Sequence, residues 1–186
     1  MPKMLDLFSG LGGASEAFVQ AGWQVMRIEN NPLLAEVPHT ELIDIFDVRD
    51  LLEDVAIDNN NRFLHDIELV WASPPCDEFS LAYSAPHAIH TREYPGQPTL
   101  DIIKKLNPRY YVIENVRGAS KFFTEMIGSE PRQILGNAQF LWGNFPLINR
   151  VKYQTKAEND KRHSPLRANI RAKIPIEISE ALLASI

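Results

Sequence analysis

A mostly parallel α/β sheet with helices on both faces, in a Rossmann-like arrangement, is the fold this sequence predicts. Short apolar strands alternate with amphipathic segments, and the first strand runs directly into a glycine-rich turn. The chemically distinctive residues also fall where strands are expected to end. Ligands of such sheets bind beyond the carboxyl ends of the strands, so these residues are expected to share one edge.

The first strand, at residues 4–8, leads into Ser9-Gly10-Leu11-Gly12-Gly13 and an amphipathic segment at 14–21 that stops before Gly22. Glycines let such a turn approach a ligand closely, and the helix start offers unpaired amides. Phe8, Ser9, Gly10, Leu11, Gly12 and Gly13 are therefore candidate cofactor-binding residues. The spacing lacks the third glycine of the dinucleotide fingerprint, so a tight structural turn is an equal reading. A second strand at 23–28 ends at Glu29, where a carboxylate can accept from the two hydroxyls of a ribose. A solvated carboxylate is the alternative, and Asn30 follows it. A third strand is expected at 41–45. Asp47, near its end, is a candidate acceptor for an adenine amino group, with Asp44 as rival and helix capping as the alternative for either. A helix at 48–55 follows.

The apolar strand at 68–72 ends in Ser73-Pro74-Pro75-Cys76. Cys76 is the chain's single cysteine, so it makes no internal disulfide. The two prolines fix a rigid, non-helical platform. The thiol is either presented to a cleft or is a small buried hydrophobe. Residues 84–98 bring three prolines, Gly96, two histidines and Tyr94 without periodicity, and suit a movable cover. Arg92 within it reads as a phosphate contact or as a solvated arginine. His87 and His90, with no second cysteine, make no metal site. A helix at 99–106 precedes Tyr110-Tyr111-Val112-Ile113-Glu114-Asn115-Val116, a strand (110–113) that delivers a Glu-Asn pair to its end. Acidic residues enter such runs when paired or working. A helix at 118–127, short strands at Gln133–Leu135 and 138–142 and a terminal helix at 176–186 complete the layout.

These three motifs in this order resemble those of the DNA cytosine-5 methyltransferases. Asp6-Leu7-Phe8-Ser9-Gly10-Leu11-Gly12-Gly13 is similar to the first motif, which holds S-adenosylmethionine. Pro74-Pro75-Cys76 is similar to the Pro-Cys nucleophile motif, and Glu114-Asn115-Val116 matches the Glu-Asn-Val motif. The resemblance covers roughly residues 4–118, with a fainter match at Arg171-Ala172-Lys173-Ile174-Pro175, where the family's last motif closes the cofactor pocket. The size and the Ser-Pro-Pro-Cys variant look most like short, phage-type members.

The resemblance implies a methyltransferase fold ending in an antiparallel hairpin around residues 135–145, and a single catalytic domain over 1–186. It implies S-adenosylmethionine as cofactor, held by Phe8 to Gly13, Glu29, Asn30, Asp47 and Pro74. Cys76 is then the nucleophile that adds to carbon 6 of cytosine, which makes carbon 5 nucleophilic. Glu114 protonates ring nitrogen 3, and its pKa is expected to be raised by burial. Asn115 orients the loop or the base. The partner is DNA carrying a flipped or single-stranded cytosine. RNA, a free nucleotide, another transferred group and a non-catalytic regulator stay open as alternatives, although a binding module has no need of both Cys76 and Glu114.

Two departures bear on recognition. About 55 residues separate Val116 from Arg171, too few for a full target-recognition region. The Gln-x-Arg-x-Arg motif is also missing, with Arg132, Arg150, Arg162 and Arg167 as unselected substitutes. Relaxed or very short sequence preference, or a protein partner that supplies recognition, is expected.

At 186 residues and 45% hydrophobic content the chain suits one compact domain, with no membrane-length apolar run or secretory signal. An intracellular, cytoplasmic protein is expected, in a bacterial host cell if phage-encoded. The net charge of −5 is unfavourable for a polyanion partner, yet it is unevenly spread. Residues 1–149 hold 11 basic against 20 acidic side chains; residues 150–186 hold 8 against 4. All eight lie within 150–173, a basic segment that reads as a phosphate-tracking patch or a solvated linker.

Overall fold

The computed structural model describes residues 1–54, 63–76, 79, 96–136, 139–149, 151–153 and 164–186. Among them, seven strands form one sheet in the order β3-β2-β1-β4-β5-β7-β6. Strands β1 (Lys3–Leu7), β2 (Gln24–Glu29), β3 (Thr40–Leu42), β4 (Leu69–Ala72) and β5 (Tyr110–Asn115) are parallel. Strands β6 (Gln133–Leu135) and β7 (Gln139–Asn144) form the expected antiparallel hairpin, with β7 against β5. Chain order runs outward in one direction from β1 to β3 and in the other from β4 to β5. The crevice at that reversal lies between the ends of β1 and β4, where Leu7 pairs with Ala72.

Helices cover both faces. Leu5, Leu7, Val70, Ala72 and Ile113 pack with side chains of α2 (Ile45–Asp54), α3 (Gly96–Leu106) and α4 (Ser120–Ile127), among them Leu52, Ile102 and Phe123. Met4, Leu69, Trp71 and Val112 pack on the other face with Phe18 of α1 (Glu16–Gln20) and Ile178 and Leu182 of α6 (Ile176–Leu183). All four residues of β4 are buried, as expected for a central parallel strand covered on both sides.

Element boundaries differ from expectation in ways with local causes. The third strand stops at Leu42 rather than residue 45, because Asp44 leaves the sheet to cap α2. Its carboxylate accepts from the Phe46 amide at 3.0 Å. The fourth parallel partner, β5, runs on to Asn115 because β7 pairs with it: Glu114 lies opposite Leu141 and Asn115 opposite Phe140. Residues 96–98 of the expected cover are the first turn of α3, with Gly96 and Pro98 buried. The rest of that segment, with His87, His90 and Arg92, lies outside the described residues. Arg167–Ala172 of the basic segment forms helix α5, whereas Arg150 and residues 154–163 lie outside the described residues. No described helix is long and apolar enough to cross a membrane, and no metal-binding cluster occurs among the described residues.

Candidate active site

The glycine turn is held from below by a buried polar network that no sequence motif announced. Arg27 of β2 pairs in register with Asp6 of β1 and is 1% exposed. Its Nε donates to Ser15 Oγ at 2.9 Å and its Nη1 to the Pro38 carbonyl at 2.9 Å. Its Nη2 donates to the Gly12 carbonyl at 3.1 Å and to Glu16 Oε2 at 3.0 Å. Ser15 Oγ in turn donates to Asp6 at 2.6 Å. Burying charge costs heavily unless its hydrogen bonds are made, and here they are. Burial pushes the Asp6 carboxyl up to about 7, against the opposing pull of Ser15 and Arg27. Desolvation raises Glu16 too, but Arg27 outweighs it and holds that carboxyl below its usual range.

Above this network the turn is tightly shaped. Phe8 (φ 59°) and Gly12 (φ 71°) both adopt left-handed backbone, and for Phe8 that conformation is strained. A side chain at Gly12 would strike the Arg27 guanidinium, and one at Gly13 would strike the Ile174 carbonyl. The second contact shows how the C-terminal segment closes over the turn. Ser179 of α6 donates to the Ala14 carbonyl at 2.7 Å and accepts from the Ala17 amide at 3.2 Å. Asn31 Nδ2 reaches Asn169 of α5 at 3.4 Å. The fainter motif at Arg171 to Pro175 therefore does sit against the first one.

Glu29 ends β2 as expected and is occupied by backbone. One oxygen accepts from the Gly10 amide at 2.9 Å; the other accepts from Asn30 and Asn31, both at 3.0 Å. A carboxylate has about four acceptor positions, so one remains on the Gly10-facing oxygen for a ligand hydroxyl. Asn30 is exposed and donates to Asp44 at 3.0 Å. Asp47 does not stand at the strand end: it is exposed in the first turn of α2, and Asp44 holds the strand-end position. The Ser9 hydroxyl is buried and has no partner among the described residues. That orphaned donor, the remaining Glu29 acceptor position and the strained turn fit a ribose-bearing cofactor.

Cys76 and Glu114 arrive on neighbouring strands. Ala72 pairs with Ile113, so the residues that follow, Ser73 and Glu114, are adjacent at the carboxyl edge. Ser73 hydrogen-bonds the Glu114 carboxylate and itself accepts from Trp71 Nε1 at 2.9 Å. The Ser73 amide donates to Leu7 at 3.2 Å, tying this loop to the end of β1 beside the glycine turn. Asn115 is buried; its Nδ2 donates to the Pro74 carbonyl at 3.0 Å and its Oδ1 accepts from the Val116 amide at 2.9 Å. Two bonds thus latch the Pro-Pro-Cys loop to β5, and Pro74 is buried while Cys76 stays half-buried. Beyond the thiol, the Phe79 amide donates to the Cys76 carbonyl at 3.0 Å, and the Phe79 backbone lies so close to Gly118 that no side chain would fit there.

Glu114 keeps some accessible surface but is surrounded by enough protein that desolvation pushes its carboxyl up to about 7, against the Ser73 hydrogen bond. A group poised near neutrality can both hold and release a proton. The arrangement sets a thiol-bearing loop, a protonatable acid and a nucleoside-shaped turn along one edge. The acid, the thiol and the turn named from the sequence all lie along this edge. The sequence did not point to Arg27, Ser15, Ser73, Asn169 and Ser179, whose only signals are single polar residues among apolar ones. Of the arginines offered as substitutes, Arg132 is engaged with the Phe145 carbonyl at 2.5 Å and Arg167 opens α5; Arg150 and Arg162 lie outside the described residues.

The chain is similar to several known proteins. The chain is 28% identical over 135 residues to the Type II methyltransferase M1.HphI of Haemophilus parahaemolyticus, covering 70% of this chain and 36% of that protein. It is 31% identical over 123 residues to M.HgiGI of Herpetosiphon aurantiacus, covering 63% of this chain and 92% of that one. A solved structure of a Spodoptera frugiperda DNMT2 variant aligns over 86% of this chain and 56% of its own, at 16% identity and a TM-score of 0.46. The chain thus spans about a third of the length of the first of these relatives. The family model described as C-5 cytosine-specific DNA methylase matches residues 2–128, which include the glycine turn, Cys76 and Glu114. This chain belongs to the C-5 cytosine-specific DNA methylases.

Proposed function

We propose that this chain transfers a methyl group from S-adenosylmethionine to carbon 5 of cytosine in DNA, as a single catalytic domain acting in the cytoplasm. The observation that carries the reading is the double latch of Ser73 to Glu114 and Asn115 to Pro74, which brings the cysteine loop beside a protonatable acid. When bound, S-adenosylmethionine supplies an electrophilic methyl carbon. Phe8 to Gly13 and Glu29 hold its nucleoside and amino-acid ends, with Asn30, Asp44 and Pro74 lining the site.

Each protein group has one task. The Cys76 thiolate adds to carbon 6 of the ring, and its electron pair opens the 5,6 double bond. Glu114 delivers its proton to nitrogen 3, which draws off the charge and leaves an enamine nucleophilic at carbon 5. Carbon 5 takes the methyl group, and the donor leaves as its thioether. Loss of the carbon 5 proton to solvent then expels the Cys76 thiolate, and nitrogen 3 returns its proton to Glu114 as the aromatic ring is restored. Asn115 keeps the loop at the height of the base through the Pro74 carbonyl. A paired cytosine hides carbon 6, so the substrate is extrahelical or single-stranded. A protein partner is the proposed source of sequence recognition, and the basic segment of residues 150–173 the proposed contact to the phosphate backbone.

The test is incubation of the purified chain with labelled S-adenosylmethionine and DNA containing 5-fluorocytosine, with an RNA of the same sequence alongside. Fluorine blocks the final elimination, so a denaturation-resistant protein–DNA adduct is expected, and none with RNA. A folded, cofactor-binding protein that forms no adduct with DNA would overturn the reading.

A further inference from the structure

The acid has a second neighbour, on the side away from the cysteine loop. Glu114 pairs with Leu141, and strand residues two apart share a face, so Gln139 lies on the same face as Glu114, one step nearer the carboxyl edge. Diagonal neighbours of this kind are about 7 Å apart. Gln139 is half-buried, as is Tyr153, whose hydroxyl donates to Gln139 Oε1 at 2.6 Å. Tyr153 is itself seated: a Cβ on Gly136, at the end of β6, would stand 2.8 Å from its hydroxyl. The Tyr153 hydroxyl is pushed above its ordinary value by burial and then by the charge of Glu114, so Tyr153 lies near the acid as well as against Gln139.

This pair has a chemical direction. With Oε1 bound by Tyr153, the group Gln139 offers the pocket is its Nε2 amide, a hydrogen-bond donor. Beside it, a protonated Glu114 is also a donor. Two adjacent donors match a ring edge that shows two adjacent acceptors. Cytosine has that edge at nitrogen 3 and the carbonyl oxygen of carbon 2. Uracil does not, because its nitrogen 3 carries a proton.

Resting on the methyltransferase reading above, we infer that Gln139, oriented by Tyr153, donates to the carbonyl oxygen at position 2 of the target cytosine and is a specificity-determining residue. Addition of the thiolate at carbon 6 pushes negative charge toward nitrogen 3 and this oxygen. The contact therefore strengthens as the reaction proceeds, and it belongs to the transition state as well as to binding.

The experiment measures the rate of covalent adduct formation for wild type, Gln139→Leu and Tyr153→Phe. Two DNAs are compared, one carrying 5-fluorocytosine and one carrying 5-fluoro-2-pyrimidinone, which lacks the 4-amino group but keeps the carbonyl. Gln139→Leu is expected to slow both reactions by the same factor, roughly 10- to 100-fold, with cofactor affinity and melting temperature unchanged. Tyr153→Phe, which releases the amide to rotate, is expected to slow both several-fold less and guards against misfolding of the first variant. A penalty that disappears on the pyrimidinone would place the contact at position 4 and overturn the inference, as would no penalty on either base. Should wild type itself form no adduct with either DNA, the methyltransferase reading has failed. A wild-type adduct with indifferent variants sinks the inference alone.

Discussion

The two halves of the site are built on opposite principles. On the β1–β2 side, the glycine turn rests on a fully buried arginine that makes four hydrogen bonds, and the C-terminal helices close over it. On the β4–β5 side, the cysteine loop is latched to β5 by one side-chain bond to Glu114 and one from Asn115. Among the described residues, the cofactor half is thus the more densely bonded and the substrate half the more lightly held. A turn that must present the same shape to a fixed ligand gains from rigidity. On the proposed mechanism, a loop that meets a base arriving from a polymer, forms a bond and then releases it gains from shallower restraint. Substitutions in the two halves are accordingly expected to fail differently.

The largest effect belongs to the reacting groups. Cys76→Ser is expected to abolish the 5-fluorocytosine adduct, and Glu114→Gln to slow transfer by two or more orders of magnitude, on the scale of general acid catalysis, roughly 100- to 10,000-fold. Because both lie in the lightly held half, cofactor affinity measured by calorimetry should stay at the wild-type value. A parallel loss of cofactor binding would mean that the halves are not separable.

Next comes the support of the turn. Arg27→Met keeps the length of the side chain but leaves Ser15, the Gly12 and Pro38 carbonyls and Glu16 without their donor. Stripping one partner from a buried charged network costs about 3 kcal/mol. The expected readouts are a lower denaturant midpoint and weaker cofactor binding, with the adduct rate at saturating cofactor nearly unchanged. An adduct rate that collapses while stability holds would reverse the assignment of the two halves.

How much of this was legible in the sequence divides along the same line. The lightly held half is written in contiguous motifs, since Pro74-Pro75-Cys76 and Glu114-Asn115-Val116 each carry their chemistry in neighbouring residues. The densely bonded half is written across the chain. Arg27 reads as an ordinary polar residue in a strand, and only the register that sets it beside Asp6 turns it into a pillar. Ser179 stands 165 residues from the carbonyl it serves, at a separation no local pattern reports. Asp47 was misplaced because strand ends are set by capping: Asp44 captured the Phe46 amide and drew the helix three residues forward. Gln139 and Tyr153 carried no signal, because the phenol meets the amide, and the amide comes beside Glu114, only once β7 pairs with β5.

Asp6 offers a smaller and purely thermodynamic test of the rigid half. Its folded pKa of about 7 lies above the ordinary 3.8, so the native state holds this proton more tightly than the unfolded chain does. Stability contributed by the group is therefore full at low pH and declines as pH rises from about 4 to 7. Glu114, also near 7, slopes the same way. Asp6→Asn, which keeps an acceptor for Ser15, should flatten the decline seen in melting temperature across that window while leaving the contribution of Glu114 in place. An unchanged slope would show that Asp6 does not titrate there.

Ser73 provides the finest probe of the lightly held half. Its hydroxyl bonds to the Glu114 carboxylate and so favours the charged form, partly offsetting the desolvation that lifts the carboxyl to about 7. On the proposed mechanism Glu114 works as an acid, so kcat/KM should fall as pH rises through its pKa, giving an alkaline limb near neutrality in wild type. Removing the hydroxyl with Ser73→Ala takes away the lowering influence alone. The pKa then rises, and the limb moves to higher pH. The same change frees Trp71 Nε1 from its acceptor, a cost of about 1 kcal/mol in stability that leaves the thiol in place. The expected signature is therefore an enzyme slightly less stable yet more active on the alkaline side, relative to its own maximum. A limb that moves toward acid would mean that Ser73 accepts from a protonated Glu114 instead of donating to the carboxylate, and the direction of the Trp71–Ser73–Glu114 chain would have to be reversed at its last link.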